Sequence, residues 1–247
     1  MNYKKQVRLF NIHKINVLSM AMFIASLVLF AMINIFATDN IKNGYLVTPY
    51  VWLDIIIAVV ILLVGLIVHE GLHALMAIIV GKNKPSDIKF GINIKQGILY
   101  CHAQKPLTKS AYLIVLITPI IVTAVIPIVI STIFSNAIFI SAFAFLFAGG
   151  AGDLVMFFDV CKNVDKKAVI FDHEKSAGYY VAYKEGEEPE GFAESTEQDE
   201  SKILGEMVRK NDEFSQKTSW IKIVAIVIFL IIIVLMLYIL AQFMKII

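Results

Sequence analysis

The chain has 247 residues, of which 58% are hydrophobic and only 17% charged, with a mean hydropathy of +0.76. That apolar excess excludes an ordinary soluble globular protein and points to an integral membrane protein. The formal net charge of +2 decides little, and no basic patch laced with aromatics suggests nucleic acid as a partner.

The first 16 residues carry Lys4, Lys5, Arg8 and Lys14 ahead of an apolar run over 17–37. That run is about 20 residues, longer than the about 7–15 of a signal peptide, so it reads as an uncleaved anchor. Further runs long enough to span lie at 52–80, 112–134, 137–158 and 220–244. Pro119 and Pro127 interrupt the third, which membrane helices tolerate when neighbours satisfy the freed carbonyls. Only Ser135 and Asn136 separate the third from the fourth, so these two spans should form a tight helical hairpin.

The polar connections set the orientation. Residues 81–110 hold six lysines against one acid, Asp87, whereas 38–51 hold only Lys42 and Asp39. Five spans with a cytoplasmic N-terminus and an extracytoplasmic C-terminus satisfy both. The expected fold is therefore an all-α polytopic membrane protein of about five transmembrane helices, with a small cytoplasmic β-hairpin and a mixed cytoplasmic loop.

The hairpin is expected at 88–102. There Ile88, Phe90, Ile92 and Ile94 alternate with polar or small residues before Gly97 turns the chain. The segment "KKAVIFDHEKSAGYYVAYKE" alternates enough for two more strands around a "DHEKSAG" turn. After it, "EGEEPEGFAESTEQDES" is acidic and poor in apolar residues, as a solvated linker is. A short amphipathic helix is expected over 202–217. The chain thus divides into a tail and first anchor (1–50), a membrane core (51–183), an acidic cytoplasmic linker (184–218) and a last transmembrane helix (219–247). Cys101 and Cys161 fall on the cytoplasmic side in this topology, lack CxxC spacing and predict no disulfide.

Within the second span the sequence reads "IVHEGLHALMA". Ionisable groups at such depth cost about 2.5 kcal/mol or more each, so they mark function by default. His69 and His73 are four apart and lie one turn apart on the same helix face. That spacing lets both imidazoles reach one zinc ion, while Glu70 can take a proton from a water that zinc activates. A polar cluster without metal is the bland alternative.

Two histidines leave a catalytic zinc one protein ligand short. Asp153, in "FLFAGGAGDLVMFFDV", is the strongest candidate. It lies about five residues before the end of its span and His73 about seven before the end of its own, so their depths agree within a turn. Gly149, Gly150 and Gly152 would let this span press against the second. Asp159 lies two turns nearer the headgroups and reads as interfacial. His102 and His173 read as surface histidines whose loops could still fold back over the site. The hairpin could offer an edge strand to an extended peptide.

Taken in order, "HEGLHAL", "TPIIV", "AGGAGDLVMFF" and "DHEKSAGYYV" resemble a family of bacterial membrane proteins classed as zincin peptidases, formerly a domain of unknown function. The resemblance covers roughly 51–183. That family is in turn similar, at a distance, to site-2 proteases, which place HExxH and a later aspartate around one zinc. The resemblance implies His69, His73 and Asp153 as ligands of one Zn2+ per chain and Glu70 as the base. It implies a membrane-embedded metallopeptidase acting on membrane or membrane-proximal proteins. The site-2 pattern has Leu-Asp-Gly at the aspartate, whereas this chain has Gly-Asp-Leu. The Asp172–His173 turn matches the family without an assigned role. A catalytically silent metal-binding scaffold is the alternative reading. A metal transporter is disfavoured, because conduction wants several polar sites in series.

Overall fold

The computed structural model describes residues 3–37, 50–93, 98–133, 137–173 and 176–217. The expected last span at 220–244, the turn at Ser135 and Asn136 and the hairpin turn at Gly97 lie outside the described residues.

The chain starts as a strand, β1 (Tyr3–Leu9), and then enters α1 (Ile12–Ala37). Asn11 marks the boundary, its side-chain oxygen accepting the His13 and Lys14 N–H groups at 2.9 and 3.3 Å. The second span is one continuous helix, α2 (Val51–Ile79). Val59, Val60, Leu63, Val64 and Ile67 stay exposed along it, as a lipid-facing surface requires, while His69 and His73 are buried.

After α2 come the two strands of a hairpin, β2 (Ile88–Asn93) and β3 (Ile98–Ala103), antiparallel with Ile88 opposite Ala103. The short β4 (Leu107–Thr108) leads directly into α3 (Lys109–Ile120), capped by the Thr108 hydroxyl at 3.4 Å from the Ala111 N–H. The third span continues through a π-helical turn, Ile121–Val125, into α4 (Ile126–Ile133).

The fourth span departs from expectation. It is two helices, α5 (Ala137–Gly149) and α6 (Ala151–Asn163), bent by 44° at the Gly149–Gly150 pair. Kinks at paired small residues are a common way to break a helix. The Ser19 hydroxyl takes the Ala148 carbonyl at 2.6 Å, satisfying one acceptor at the end of α5. The expected packing of these glycines on the second span is also corrected. A Cβ at Gly150 would lie 2.7 Å from Ile120 of the third span, and one at Gly149 would meet nothing. Close approach to α2 comes instead at Gly65, against the Leu146 side chain of α5.

Among the described residues, three helices are long and apolar enough to cross a membrane, or four if the bent pair is one span. The strand content exceeds a single hairpin. A four-stranded antiparallel sheet, ordered β1-β6-β5-β4, adds β5 (Val169–Asp172) and β6 (Gly178–Lys184). β5 and β6 are the strands expected around the "DHEKSAG" turn, whereas β1 uses what reads in sequence as a basic tail. Tyr112, Val160, Ile170 and Tyr179 form a shared buried core that seats this sheet on α3 and α6. Lys109 strengthens the junction by donating to the carbonyls of Cys161 (3.1 Å) and Val164 (2.7 Å) at the end of α6.

Residues following β6 return towards β1. The Ser195 N–H donates to the Lys5 carbonyl at 2.9 Å, Lys4 pairs with Glu188, and Phe192 packs edge-on against Tyr183. A separate unit begins at Glu197. Its described part is one helix, α7 (Glu197–Lys217), five residues longer at its start than expected. Glu197, Asp199 and Glu200 occupy its first turn, where negative charge favours the helix dipole.

A Gly150→Val variant should lose about 1–3 kcal/mol of stability, because its side chain must displace Ile120. Thermal unfolding in detergent measures this; an unchanged midpoint would contradict the packing described here.

Candidate metal centre

α2 and α6 meet through three side chains. His69 Nε2 lies 3.1 Å from Asp153 Oδ2, and His73 Nε2 lies 3.5 Å from the same oxygen. Ligand atoms from all three residues lie within 4.8 Å of one another. The two imidazoles stand edge to face, with ring centres 5.1 Å apart, as a one-turn separation on α2 dictates. Asp153 reaches them because the bend at Gly150 starts a new helix at this depth and places the aspartate in its first turn.

The hydrogen bonds behind the histidines fix their tautomers. His73 Nδ1 is 2.9 Å from the Val115 carbonyl oxygen, which can only accept, so Nδ1 carries the proton. His69 Nδ1 is 3.2 Å from Thr123 Oγ1. That hydroxyl spends its own hydrogen on the Pro119 carbonyl at 2.7 Å, so it accepts from His69. With Nδ1 engaged in this way, each ring turns its Nε2 towards the Asp153 carboxylate. A carboxylate and two imidazole nitrogens gathered this closely are held together by a positive charge among them, either a proton on Nε2 or a metal ion. The donor set of two imidazoles and one carboxylate is the kind that holds zinc at catalytic sites. The residues fit the metal.

Glu70 is half-buried beside this trio, within electrostatic reach of His69, His73 and Asp153, and its carboxylate accepts a hydrogen bond from the Cys101 backbone N–H. Cys101 lies on β3, so the hairpin expected from sequence stands directly over the acid. Two residues further along the same strand, the Ala103 N–H donates to Asp172 Oδ2 at 3.0 Å. Residues two apart on a strand point their N–H groups to the same side, so one edge of β3 faces both carboxylates.

His102 and His173 are not surface histidines. Each is only 8% exposed. His102 Nδ1 is 3.9 Å from Asp172 Oδ2, and His173 Nδ1 accepts from the Ser176 N–H at 3.0 Å inside its own turn. Asp172 also hydrogen-bonds Tyr112 of α3. Sequence reasoning left the Asp172–His173 turn without a role; the structure makes Asp172 the tie between β5, β3 and α3. Its partners lie about 70 residues earlier, so no local pattern could have revealed it. Asp159 is half-buried, held by Tyr179, by Arg8 Nη1 at 3.6 Å and by Asn163.

A mainly helical chain with three or four apolar helices of membrane-crossing length is compatible with a membrane protein, and its His69–His73–Asp153 cluster could hold a metal ion. Residues 60–168 match a family described as "Putative zincin peptidase". The match contains His69, Glu70, His73 and Asp153 and ends before the Asp172–His173 turn. No curated protein and no solved structure matches the chain.

Both cysteines are free thiols. Burial, then the negative charges of Glu70 and Asp172, push the Cys101 thiol up to about 12. Only the thiolate is nucleophilic, so Cys101 should resist iodoacetamide at pH 8 in the folded protein and react once SDS unfolds it. Site-resolved mass spectrometry reads this; rapid native labelling at Cys101 would show that β3 does not lie against Glu70.

Proposed function

We propose that the protein is a zinc-dependent, membrane-embedded peptidase that hydrolyses peptide bonds of membrane or membrane-proximal protein substrates. The observation that carries this reading is the convergence of His69 Nε2, His73 Nε2 and Asp153 Oδ2 beside Glu70. His69, His73 and Asp153 would hold one Zn2+ per chain. When bound, zinc supplies a Lewis acid that polarises a carbonyl and lowers the pKa of a coordinated water to about 7.

The remaining chemistry falls to the chain's own residues. Glu70, the adjacent carboxylate on α2, acts as general base and later returns its proton to the leaving amine. The edge of β3 bearing the Cys101 and Ala103 N–H groups is suited to an extended peptide. Its carbonyls would take over the hydrogen bonds now made to Glu70 and Asp172, leaving Glu70 free to receive a proton. The lysine-rich 81–110 connection and the basic N-terminal strand support a cytoplasmic position for this face of the membrane core, and the proposal puts the C-terminus on the other side. The Gly-Asp order at Asp153 departs from the site-2 protease motif, so its proposed role as a ligand rests on its approach to His69 and His73.

Two experiments test the reading. Detergent-purified protein should contain about one zinc, lost in His69→Ala and in Asp153→Ala; a wild type that folds but takes up no zinc rules out the enzyme. Glu70→Gln should keep its zinc while cleavage of a membrane-tethered substrate falls by about 10²–10⁴-fold. Undiminished cleavage by that variant would leave the silent scaffold as the better reading.

A further inference from the structure

We infer that Pro119 and Thr123 are positioning residues for the metal ligands. Together they convert the third span into the cradle that presents both histidine Nε2 atoms. This inference rests on the zinc reading above and deepens it.

In a regular α-helix each carbonyl accepts the N–H of the residue four positions later. The carbonyl of Val115 would thus be filled by residue 119. That residue is proline, which has no N–H. The acceptor left open is the one that takes His73 Nδ1–H at 2.9 Å. An apolar span thereby gains a strong, buried hydrogen-bond acceptor without an additional polar side chain. The position of the proline selects which carbonyl is released.

The same device is used one turn on. The Pro119 carbonyl accepts the Thr123 hydroxyl at 2.7 Å, and this fixes the direction of that hydroxyl's hydrogen. Its oxygen is then left to accept His69 Nδ1–H at 3.2 Å. Val115, Pro119 and Thr123 are each four apart, and all three are buried. Every fourth residue drifts around an ordinary 3.6-residue helix, and the wider π-turn at Ile121–Val125 offsets that drift. Thr123 thus stays on the face that looks at α2. The ladder Val115–Pro119–Thr123 matches the ladder His69–His73, and it runs in the opposite direction: the earlier histidine meets the later residue.

Histidines that ligate metals need their other nitrogen held in this way, and loss of such a partner typically weakens metal binding or activity about 10–100-fold. A valine at 123 keeps the shape of threonine and removes the acceptor. An alanine at 119 restores an N–H that competes with His73 for the Val115 carbonyl.

The test is zinc affinity of the full-length protein in detergent, measured by competition with a chromophoric chelator, together with the visible spectrum of the cobalt-substituted form. Thr123→Val should weaken zinc about 10–100-fold and alter the cobalt spectrum, with Thr123→Ser restoring both. Pro119→Ala should shift affinity in the same direction. If that variant does not fold, the Val and Ser pair at 123 decides alone. Wild-type zinc affinity and an unchanged cobalt spectrum in Thr123→Val would overturn the assignment while leaving the metal site standing, even if the variant melts earlier. A wild type without zinc would overturn the peptidase reading itself, and this inference with it.

Discussion

A carboxylate and two imidazole nitrogens held together inside apolar helices are the constraint on which the rest of this structure depends. His69 Nε2, His73 Nε2 and Asp153 Oδ2 cluster within 4.8 Å where little water can solvate them. Isolated, such groups are costly to bury; around a cation they become a ligand set. The helices must therefore hold the atoms close and also fix the rotation of each imidazole. The Val115 carbonyl and the Thr123 hydroxyl meet the second demand by binding the opposite nitrogen of each ring. The bend at Gly150 meets the first, since it starts α6 where its first turn can deliver Asp153.

Irregularities in the membrane helices thus coincide with the site. The proline, the π-turn and the Gly-Gly break each forfeit regular helix hydrogen bonding in a medium that offers no substitute donors or acceptors. Each is compensated locally. His73 fills the acceptor opposite Pro119, Thr123 fills the Pro119 carbonyl, and Ser19 fills that of Ala148. Straight, fully bonded spans would be more stable as membrane helices but could not bring these atoms together. Outside the spans, Lys109 ties α3 to the end of α6, and Tyr112 and Tyr179 seat the four-stranded sheet on the same pair.

How much of this could be read from sequence follows from the range over which each signal acts. The HExxH spacing is local and periodic, so α2 and the shared face of its histidines were legible. Depth matching also singled out Asp153, because rise per residue is fixed in both spans. Strand alternation predicted β2, β3, β5 and β6. The break at Gly149–Gly150 was missed because a continuous apolar run carries no length signal for a kink; the two glycines suggested close packing on α2, whereas Gly150 fits under Ile120. β1 was missed for a different reason. Its lysines and arginine act in sequence as a topological signal, while its partner strand lies about 170 residues away. The burial of His102 by Asp172 is likewise a long-range product of the fold.

On the peptidase reading proposed above, the placement of the hairpin extends the same logic from the metal to Glu70 as the base. A carboxylate next to a cation would bind it directly if nothing competed, and it would then cease to be a base. Glu70 instead has the Cys101 N–H to engage, and that N–H belongs to a strand edge that can pair with an incoming chain. Asp172 keeps the edge in place through Ala103 one step further along, without touching the ligands in any hydrogen bond described here. The hairpin is therefore both a holder for Glu70 and the surface whose occupation would release it. Coupling of this kind would keep the proposed base away from the metal until an extended segment lies along β3. Such a peptidase would thereby favour unfolded or strand-like stretches near the membrane surface over the helical spans from which they emerge.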